Sequence, residues 1–262
     1  MADTLEATNP LALDLARALD PVTLASKIGL EPEPWQELVL RSRYPRVLLN
    51  CHRQAGKSTI AGLLAVHVAL YQPGSLILLL SPAQRQSQEL FKKAIHAYRA
   101  LGRPVPPETE NRLALELENG SRIVSLPGQE ATVRSFSNVR LLVVDEAARV
   151  PDELYFSVRP MLAVSKGRLV AMSTPFGRRG WWYDAHRGGA EFERYEVKAT
   201  DCPRISQAFL EEEKATMGDW WWRQEYMCEF MDAATSAFTV EDIEKAFDSE
   251  VKPWDLLSAA WM

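Results

Sequence analysis

The chain has 262 residues, 47% of them hydrophobic and 25% charged, with a formal net charge of −5 at neutral pH. That length and balance suit one large α/β domain, or such a domain with an appendage, and exclude an intrinsically disordered chain. No apolar run approaches a membrane span, Met1-Ala2-Asp3 lacks a secretory basic start, and Cys51, Cys202 and Cys228 stand too far apart for a zinc site or a disulfide framework.

Residues 1–33 read as a helical leader, with Leu11, Leu13, Leu15 and Leu19 among Ala and Asp and an interruption at Pro21. Pro32 and Pro34 frame the start of a short helix at Trp35-Gln36-Glu37-Leu38. Strand-like apolar runs follow at 46–50, 75–81, 122–126, 141–145 and 168–173, with 191–198 as a last strand. Helical stretches at 57–71, 84–101 and 152–162 lie between them. Alternation of buried strands with helices predicts a mostly parallel sheet covered on both faces. Residues 113–118, the pair Asn119-Gly120 and 121–126 predict an inserted hairpin closed by a type I′ turn. From 206 to 230 the chain is helical, with a break at Gly218 and Trp220-Trp221-Trp222 beyond it. The expected division is a leader (1–33), a core (34–200), a helical lid (201–238) and a tail (239–262).

Cys51 to Thr59 read C-H-R-Q-A-G-K-S-T, directly after the apolar Val47-Leu48-Leu49. A strand, a tight loop and Gly-Lys-Ser opening a helix is the arrangement that holds a nucleotide's phosphates, because loop N–H groups and the helix N-terminus both face the anion. Arg53, Gln54, Ala55, Gly56 and Thr59 would line that loop, Lys57 would reach the β and γ phosphates, and the Ser58 hydroxyl would ligate Mg²⁺. The usual pattern has glycine where this chain has Cys51. The plainer alternative is an ordinary strand-to-helix turn with an exposed lysine.

Leu141-Leu142-Val143-Val144-Asp145-Glu146 is the second anchor. Its apolar residues place Asp145 at the C-terminal end of a strand, where open α/β sheets collect ligands. Asp145 would hold Mg²⁺, and Glu146 would polarise the attacking water. Alone, the pair equally describes a strand ending in solvated carboxylates. A phosphate loop followed by such a strand is far more specific and predicts a Mg²⁺-dependent nucleoside-triphosphatase, of the branch that keeps its catalytic glutamate beside the metal aspartate. The third element, Met172-Ser173-Thr174-Pro175, ends another strand with a hydroxyl pair able to sense the γ-phosphate, or simply with turn residues.

These elements, in this order, resemble the ATPase part of a large terminase subunit, the DNA-packaging motor of tailed bacteriophages and related viruses. The matching stretches are R-Q-A-G-K-S-T, V-R-S-F-S-N-V-R-L-L-V-V-D-E-A-A and M-S-T-P-F-G-R-R-G, within a span from about Pro34 to Phe238. Absence of the first loop glycine is normal in that family. The resemblance implies a P-loop NTPase fold of the additional-strand catalytic-glutamate type, with ATP and Mg²⁺ as cofactors. It makes Lys57, Ser58 and Asp145 the phosphate and metal contacts, Glu146 the catalytic carboxylate, Ser173 and Thr174 the coupling motif, and Gln36 an adenine reader beside Trp35. Gln36 and Trp35 also suit a plain proline-initiated helix. Arg53, in the loop, and Arg134, before the acid-pair strand, compete as the charge-stabilising finger, Arg134 being delivered by a neighbouring subunit.

Implied partners are double-stranded DNA, a portal protein, a small terminase subunit and further copies of the chain in a ring, in the host cytoplasm. Arg168, Arg178, Arg179 and Arg187 cluster around the coupling motif in sequence and are candidate DNA contacts, or a solvated face. The acidic net charge argues against strong DNA binding by the chain alone, so such contacts should be local, transient or shared. Trp181-Trp182 and Trp220–Trp222 are expected to serve core or subdomain packing rather than base stacking, since a duplex offers no free base faces. Too little chain follows Phe238 to build the nuclease that such subunits usually carry, so no endonuclease activity is expected. Rival readings are a helicase-like ATPase, which lacks further helicase motifs and a second lobe here, and a nucleotide-gated assembly module, which would not need Glu146.

Overall fold

A computed structural model describes residues 9–127, 136–188, 191–232 and 245–246. Its centre is an eight-stranded sheet in the order β3-β4-β5-β2-β6-β7-β1-β8. The strands are β1 (Arg46–Cys51), β2 (Leu76–Ser81), β3 (Pro107–Glu110), β4 (Ala114–Leu117), β5 (Arg122–Pro127), β6 (Val139–Asp145), β7 (Arg168–Ser173) and β8 (Glu193–Val197). From β5 to β8 every pairing is parallel, and β3 and β4 add an antiparallel flap at one edge.

The central parallel strands β1, β2, β6 and β7 are largely apolar because both faces are covered, whereas β8 at the edge is Glu-Arg-Tyr-Glu-Val and only partly buried. β2 is buried along its whole length. Alternation sorts its side chains: Ile77 and Leu79 join Leu49, Val143 and Met172 on one face, while Leu76, Leu78 and Leu80 join Leu48, Val144 and Ala171 on the other. The first face is covered by α2 (Pro21–Lys27), α3 (Pro34–Arg41), α4 (Lys57–Tyr71) and α5 (Gln84–Ala100). The second is covered by α6 (Asp152–Val158) and α7 (Gly180–Arg187). α4 is apolar on all sides and buried from Ile60 to Leu70, which makes it the central core helix. At Gly62 a Cβ would stand 2.9 Å from the Ala94 nitrogen, so glycine is what lets α5 approach that closely. Ahead of these lies α1 (Pro10–Leu19), with no buried residue; Asp20 then caps α2 by accepting from the Val22 N–H at 3.0 Å.

One expectation needed correction, and two elements were unforeseen. Of the pair Asn119-Gly120 only Gly120 has a positive φ (79°), so the turn is not type I′. The Asn119 side chain instead donates to the Ala69 carbonyl at 2.8 Å and ties the turn to the end of α4. β3 was not foreseen: Pro-Glu-Thr-Glu is a short, mostly solvated edge strand without apolar alternation. Nor was α7, whose first turn is capped when Asp152 accepts from the Trp181 N–H at 2.9 Å.

The last long helix among the described residues, α8 (Gln207–Glu225), bends at Gly218, where φ is 78° and ψ 160°. A small third core of Ala199, Leu210 and Trp222 seats it beside the sheet. Trp181, Trp182 and Trp222 are buried as expected, whereas Trp221 is 52% exposed. No helix among the described residues is long and apolar enough to cross a membrane.

Candidate nucleotide site

The parallel strands bring their C-terminal ends to one edge of the sheet, and the sequence motifs meet there. β7 lies between β1 and β6, pairing Asn50 with Ser173 and Asp145 with Met172. The loop after β1 is therefore separated from the acid pair by the strand that carries Ser173.

The substitution at Cys51 has a simple physical reading. Cys51 still belongs to β1, in register with Val197 of β8, so no left-handed backbone is needed there. The chain turns later, at Gln54 (φ 62°) and Gly56 (φ 88°). A Cβ on Gly56 would also lie 2.9 Å from Gln36 Nε2, so this glycine is fixed by both backbone and space. The Cys51 thiol is buried, which pushes its pKa up to about 12 and leaves it inert.

Lys57 opens α4, is buried, and donates from Nζ to the carbonyls of Cys51 (3.0 Å) and His52 (2.9 Å). The next residue, Ser58, donates from Oγ to Asp145 Oδ2 at 3.4 Å. A cleft of about 610 Å³ runs along Gln54–Thr59 and reaches Asp145 and Glu146. Ala55 is buried beneath it and Thr59 lines it in the first turn of the helix. Burial, together with the charge of Glu146, raises the Asp145 pKa to about 6. A carboxylate so disfavoured calls for a counter-cation. Hydroxyl and carboxylate oxygens are the hard donors that Mg²⁺ takes, and Ser58 Oγ and Asp145 Oδ2 lie close enough to serve one ion. Glu146 takes a left-handed backbone (φ 49°), its N–H donating to Asp145 Oδ1 at 3.0 Å. Strained backbone of this kind gathers where a side chain must be aimed.

Gln36 is buried with its amide already engaged: Nε2 donates to the Ala55 carbonyl at 3.1 Å and Oε1 accepts from the Glu33 N–H at 2.9 Å. Its observed place is under the loop, as a brace. Trp35 donates from Nε1 to Glu33 Oε2 at 2.8 Å. Arg53 lines the same cleft, largely exposed, and pairs with Glu225 Oε2 at 2.7 Å, at the end of α8. Arg134 lies outside the described residues. Ser173 and Thr174 are buried at the end of β7, and Ser173 Oγ has no hydrogen-bond partner among the described residues.

The arginines near Ser173-Thr174 in sequence divide. Arg178 is engaged structurally, donating to the Phe230 carbonyl at 2.9 Å and pairing with Asp232 at 3.5 Å. Arg179 lies 5.8 Å from the centre of the Phe176 ring, and Arg187 lies 5.5 Å from that of Tyr183. Arg168 does not join them. It begins β7, at the opposite end of the strand from Ser173, and its guanidinium donates to the carbonyls of Tyr44 and Val39. Sequence reasoning missed four residues at the cleft: Gln86 and Lys93 on α5, and Arg149 and Arg204. Arg149 follows the acid pair by one short turn, and Arg204, just ahead of α8, reaches the loop, donating to Glu33 Oε1 at 2.8 Å and to the Ala55 carbonyl at 3.3 Å. Arg149 carried a weak signal, three residues beyond Glu146; Arg204 belonged to no motif.

A phosphate-type loop at the end of β1, an acid pair at the end of β6 and one intervening parallel strand define a P-loop NTPase of the additional-strand catalytic-glutamate type. The family described as "Terminase large subunit, T4likevirus-type, N-terminal" matches residues 49–245, and the chain belongs to it. Large terminase subunits of Thermus phage G20c and Thermus virus P23-45 are each 26% identical over 254 residues, covering 82% of this chain and 52% of the relative. The chain thus spans about half the length of the curated relatives it matches. Among solved structures, the large terminase ATPase domain of Thermus phage P74-26 superposes with a TM-score of 0.70 at 22% identity, covering 79% of this chain and 97% of that one. The large terminase of the thermophilic bacteriophage D6E, solved with ADP, gives a TM-score of 0.58 at 8% identity, covering 82% of this chain and 52% of that one. At those identities the likeness concerns the fold.

Proposed function

We propose that this chain is the Mg²⁺-dependent ATPase of a viral DNA-packaging motor, converting ATP hydrolysis into translocation of double-stranded DNA into a procapsid. The observation that carries this reading is the meeting of Lys57, Ser58, Asp145 and Glu146 in one cleft at the sheet's C-terminal edge. The D6E large terminase was solved with ADP and with ATP-γ-S, which supports an adenine nucleotide as ligand.

On this reading the backbone N–H groups of Gln54–Thr59 and the N-terminus of α4 receive the β and γ phosphates. Lys57 Nζ exchanges its two loop carbonyls for phosphate oxygens, so the lysine is pre-placed and loses no hydrogen bonds on switching. Ser58 and Asp145 hold Mg²⁺, which neutralises charge on the triphosphate when bound. Glu146 accepts the proton of the attacking water. Arg53 or Arg134 supplies the charge-stabilising guanidinium, the latter from a neighbouring copy in a ring on the portal. Loss of the γ-phosphate is felt at Ser173 and Thr174 and passed along the chain toward Arg178 and Arg179, where DNA phosphates are met. The small terminase subunit and the portal protein are the partners, in the host cytoplasm.

The test is steady-state hydrolysis and ATP-γ-S binding, with and without duplex DNA. Glu146→Gln is expected to bind ATP-γ-S as the unaltered chain does and to lose turnover by a factor of about 10² to 10⁴. Lys57→Ala is expected to lose both. Hydrolysis by Glu146→Gln at the unaltered rate removes Glu146 from the mechanism.

A further inference from the structure

Arg149 ends the short 3₁₀ turn Ala147–Arg149 that follows the acid pair, and it lines the same cleft as Lys57 and Ser58. Its contacts are incomplete in an informative way. Nε stands 4.0 Å from Glu146 Oε2, an ion pair too long for a hydrogen bond. Nη1 is buried and has no hydrogen-bond partner among the described residues. On its other side the guanidinium carbon lies 4.3 Å from the centre of the Phe176 ring, a cation–π contact. Phe176 directly follows Ser173-Thr174-Pro175, and Arg179 approaches the same ring at 5.8 Å. One side chain therefore touches the proposed catalytic carboxylate and the segment leaving the coupling strand.

A buried guanidinium donor without an acceptor is costly, and the anion best placed to supply one is the terminal phosphate of a triphosphate seated on the adjoining loop. We infer that Arg149 is a phosphate-sensing residue supplied by the same chain: its Nη1 takes an oxygen of the γ-phosphate, and the accompanying shift changes its seat on Phe176. The 176–179 segment is then biased by the presence of the γ-phosphate through a side chain as well as through the β7 backbone. A diphosphate leaves Nη1 without that acceptor and the arginine on the ring. This inference rests on the ATPase reading of the cleft and names a residue in addition to Arg53 and Arg134.

The experiment compares ADP and ATP-γ-S, each with Mg²⁺, on the full chain and on Arg149→Ala, Arg149→Met and Arg149→Lys. Methionine keeps an apolar stem against Phe176 if alanine unfolds the turn. Affinity for ATP-γ-S is expected to fall roughly ten- to a hundredfold in the alanine and methionine variants, the range of a charged hydrogen bond, while ADP affinity stays within about threefold. Lysine should recover part of the loss. Hydrogen exchange over residues 175–180 should differ between the two nucleotides in the unaltered chain and not in Arg149→Met. Equal losses for both nucleotides, or undiminished preference for ATP-γ-S, would overturn the inference. An unaltered chain that binds neither nucleotide overturns the ATPase reading itself, and with it this one; normal binding with unaffected variants removes only the arginine.

Discussion

The side-chain amide of Gln36 donates to the Ala55 carbonyl at 3.1 Å, fixing the start of α3 against the crown of the phosphate loop. The same amide accepts from the Glu33 N–H at 2.9 Å, so it joins three points of the chain without reaching into open cleft.

A brace and an adenine reader make opposite forecasts. Removing a brace distorts the loop, so Gln36→Ala should weaken pyrophosphate and ADP by similar factors. It should also lower stability by about 1 to 2 kcal/mol, because a buried N–H and a carbonyl each lose a partner. Isothermal titration with both ligands checks this. A loss confined to the adenine nucleotide would return Gln36 to the base-reading role that the family resemblance implies.

Gly218 sits where only glycine is comfortable, with φ 78° and ψ 160°, and nothing lies within 4 Å of the position a Cβ would take. The cost of a side chain there is thus purely one of backbone strain. Gly218→Ala is expected to destabilise the chain by about 1 to 3 kcal/mol, read as a fall of several degrees in Tm. An unchanged Tm would mean that α8 straightens through this point in solution.

His67 is buried in α4, and its Nε2 lies 3.1 Å from the carbonyls of both Arg17 and Ala18, so a neutral ring with hydrogen on Nε2 anchors α1. Burial, the largest influence, lowers its pKa below the ordinary 6.5, and the hydrogen bonds to the Arg17 and Ala18 carbonyls oppose it without overcoming it. At His67 the unfolded chain therefore binds more protons than the folded one just beneath pH 6.5, and this contribution to stability falls as pH drops through that window. His52 and His186 shift the same way. Asp145, raised to about 6, acts the other way in this window, so the test is a comparison: the change in Tm from pH 7.5 to 5.5 should be less unfavourable in His67→Gln than in the unaltered chain. An equal change in both proteins would place the sensitivity elsewhere.

The parts of this molecule that were legible in the sequence are those set by buried periodicity and by backbone chemistry. β7 and α4 match their expected ends, because an unbroken apolar strand and an Ala/Leu/Val helix admit one reading each. Lys57, Ser58, Asp145 and Glu146 were legible because their motif places each at the end of an apolar strand or the start of a helix. Features that depend on distant packing were not. The Asn119-Gly120 turn yields to a bond from Asn119 to α4, and β3 exists only because β4 offers it a partner. Arg168 reads as one of a basic cluster, yet strand direction carries it to the far end of the sheet. Arg204 reaches the loop from the turn ahead of α8, a relation no local pattern encodes.

That reach of Arg204 gives the last forecast. Its guanidinium donates to Glu33 Oε1 at 2.8 Å and to the Ala55 carbonyl at 3.3 Å, yet its side chain is 55% exposed. Solvent-screened pairs of this kind contribute about 0 to 1 kcal/mol, so Arg204→Ala should leave Tm nearly unchanged. Its carbonyl contact sits on the loop proposed to hold phosphate, however, and releasing it should cost affinity several-fold. Arg204→Lys should not restore that affinity, since an ammonium cannot span the Glu33 carboxylate and the loop carbonyl with the guanidinium's planar fork. Melting curves and nucleotide titrations on the two variants decide it. A large drop in Tm with unaltered affinity would make Arg204 a structural strut between lid and core, with no part in shaping the loop.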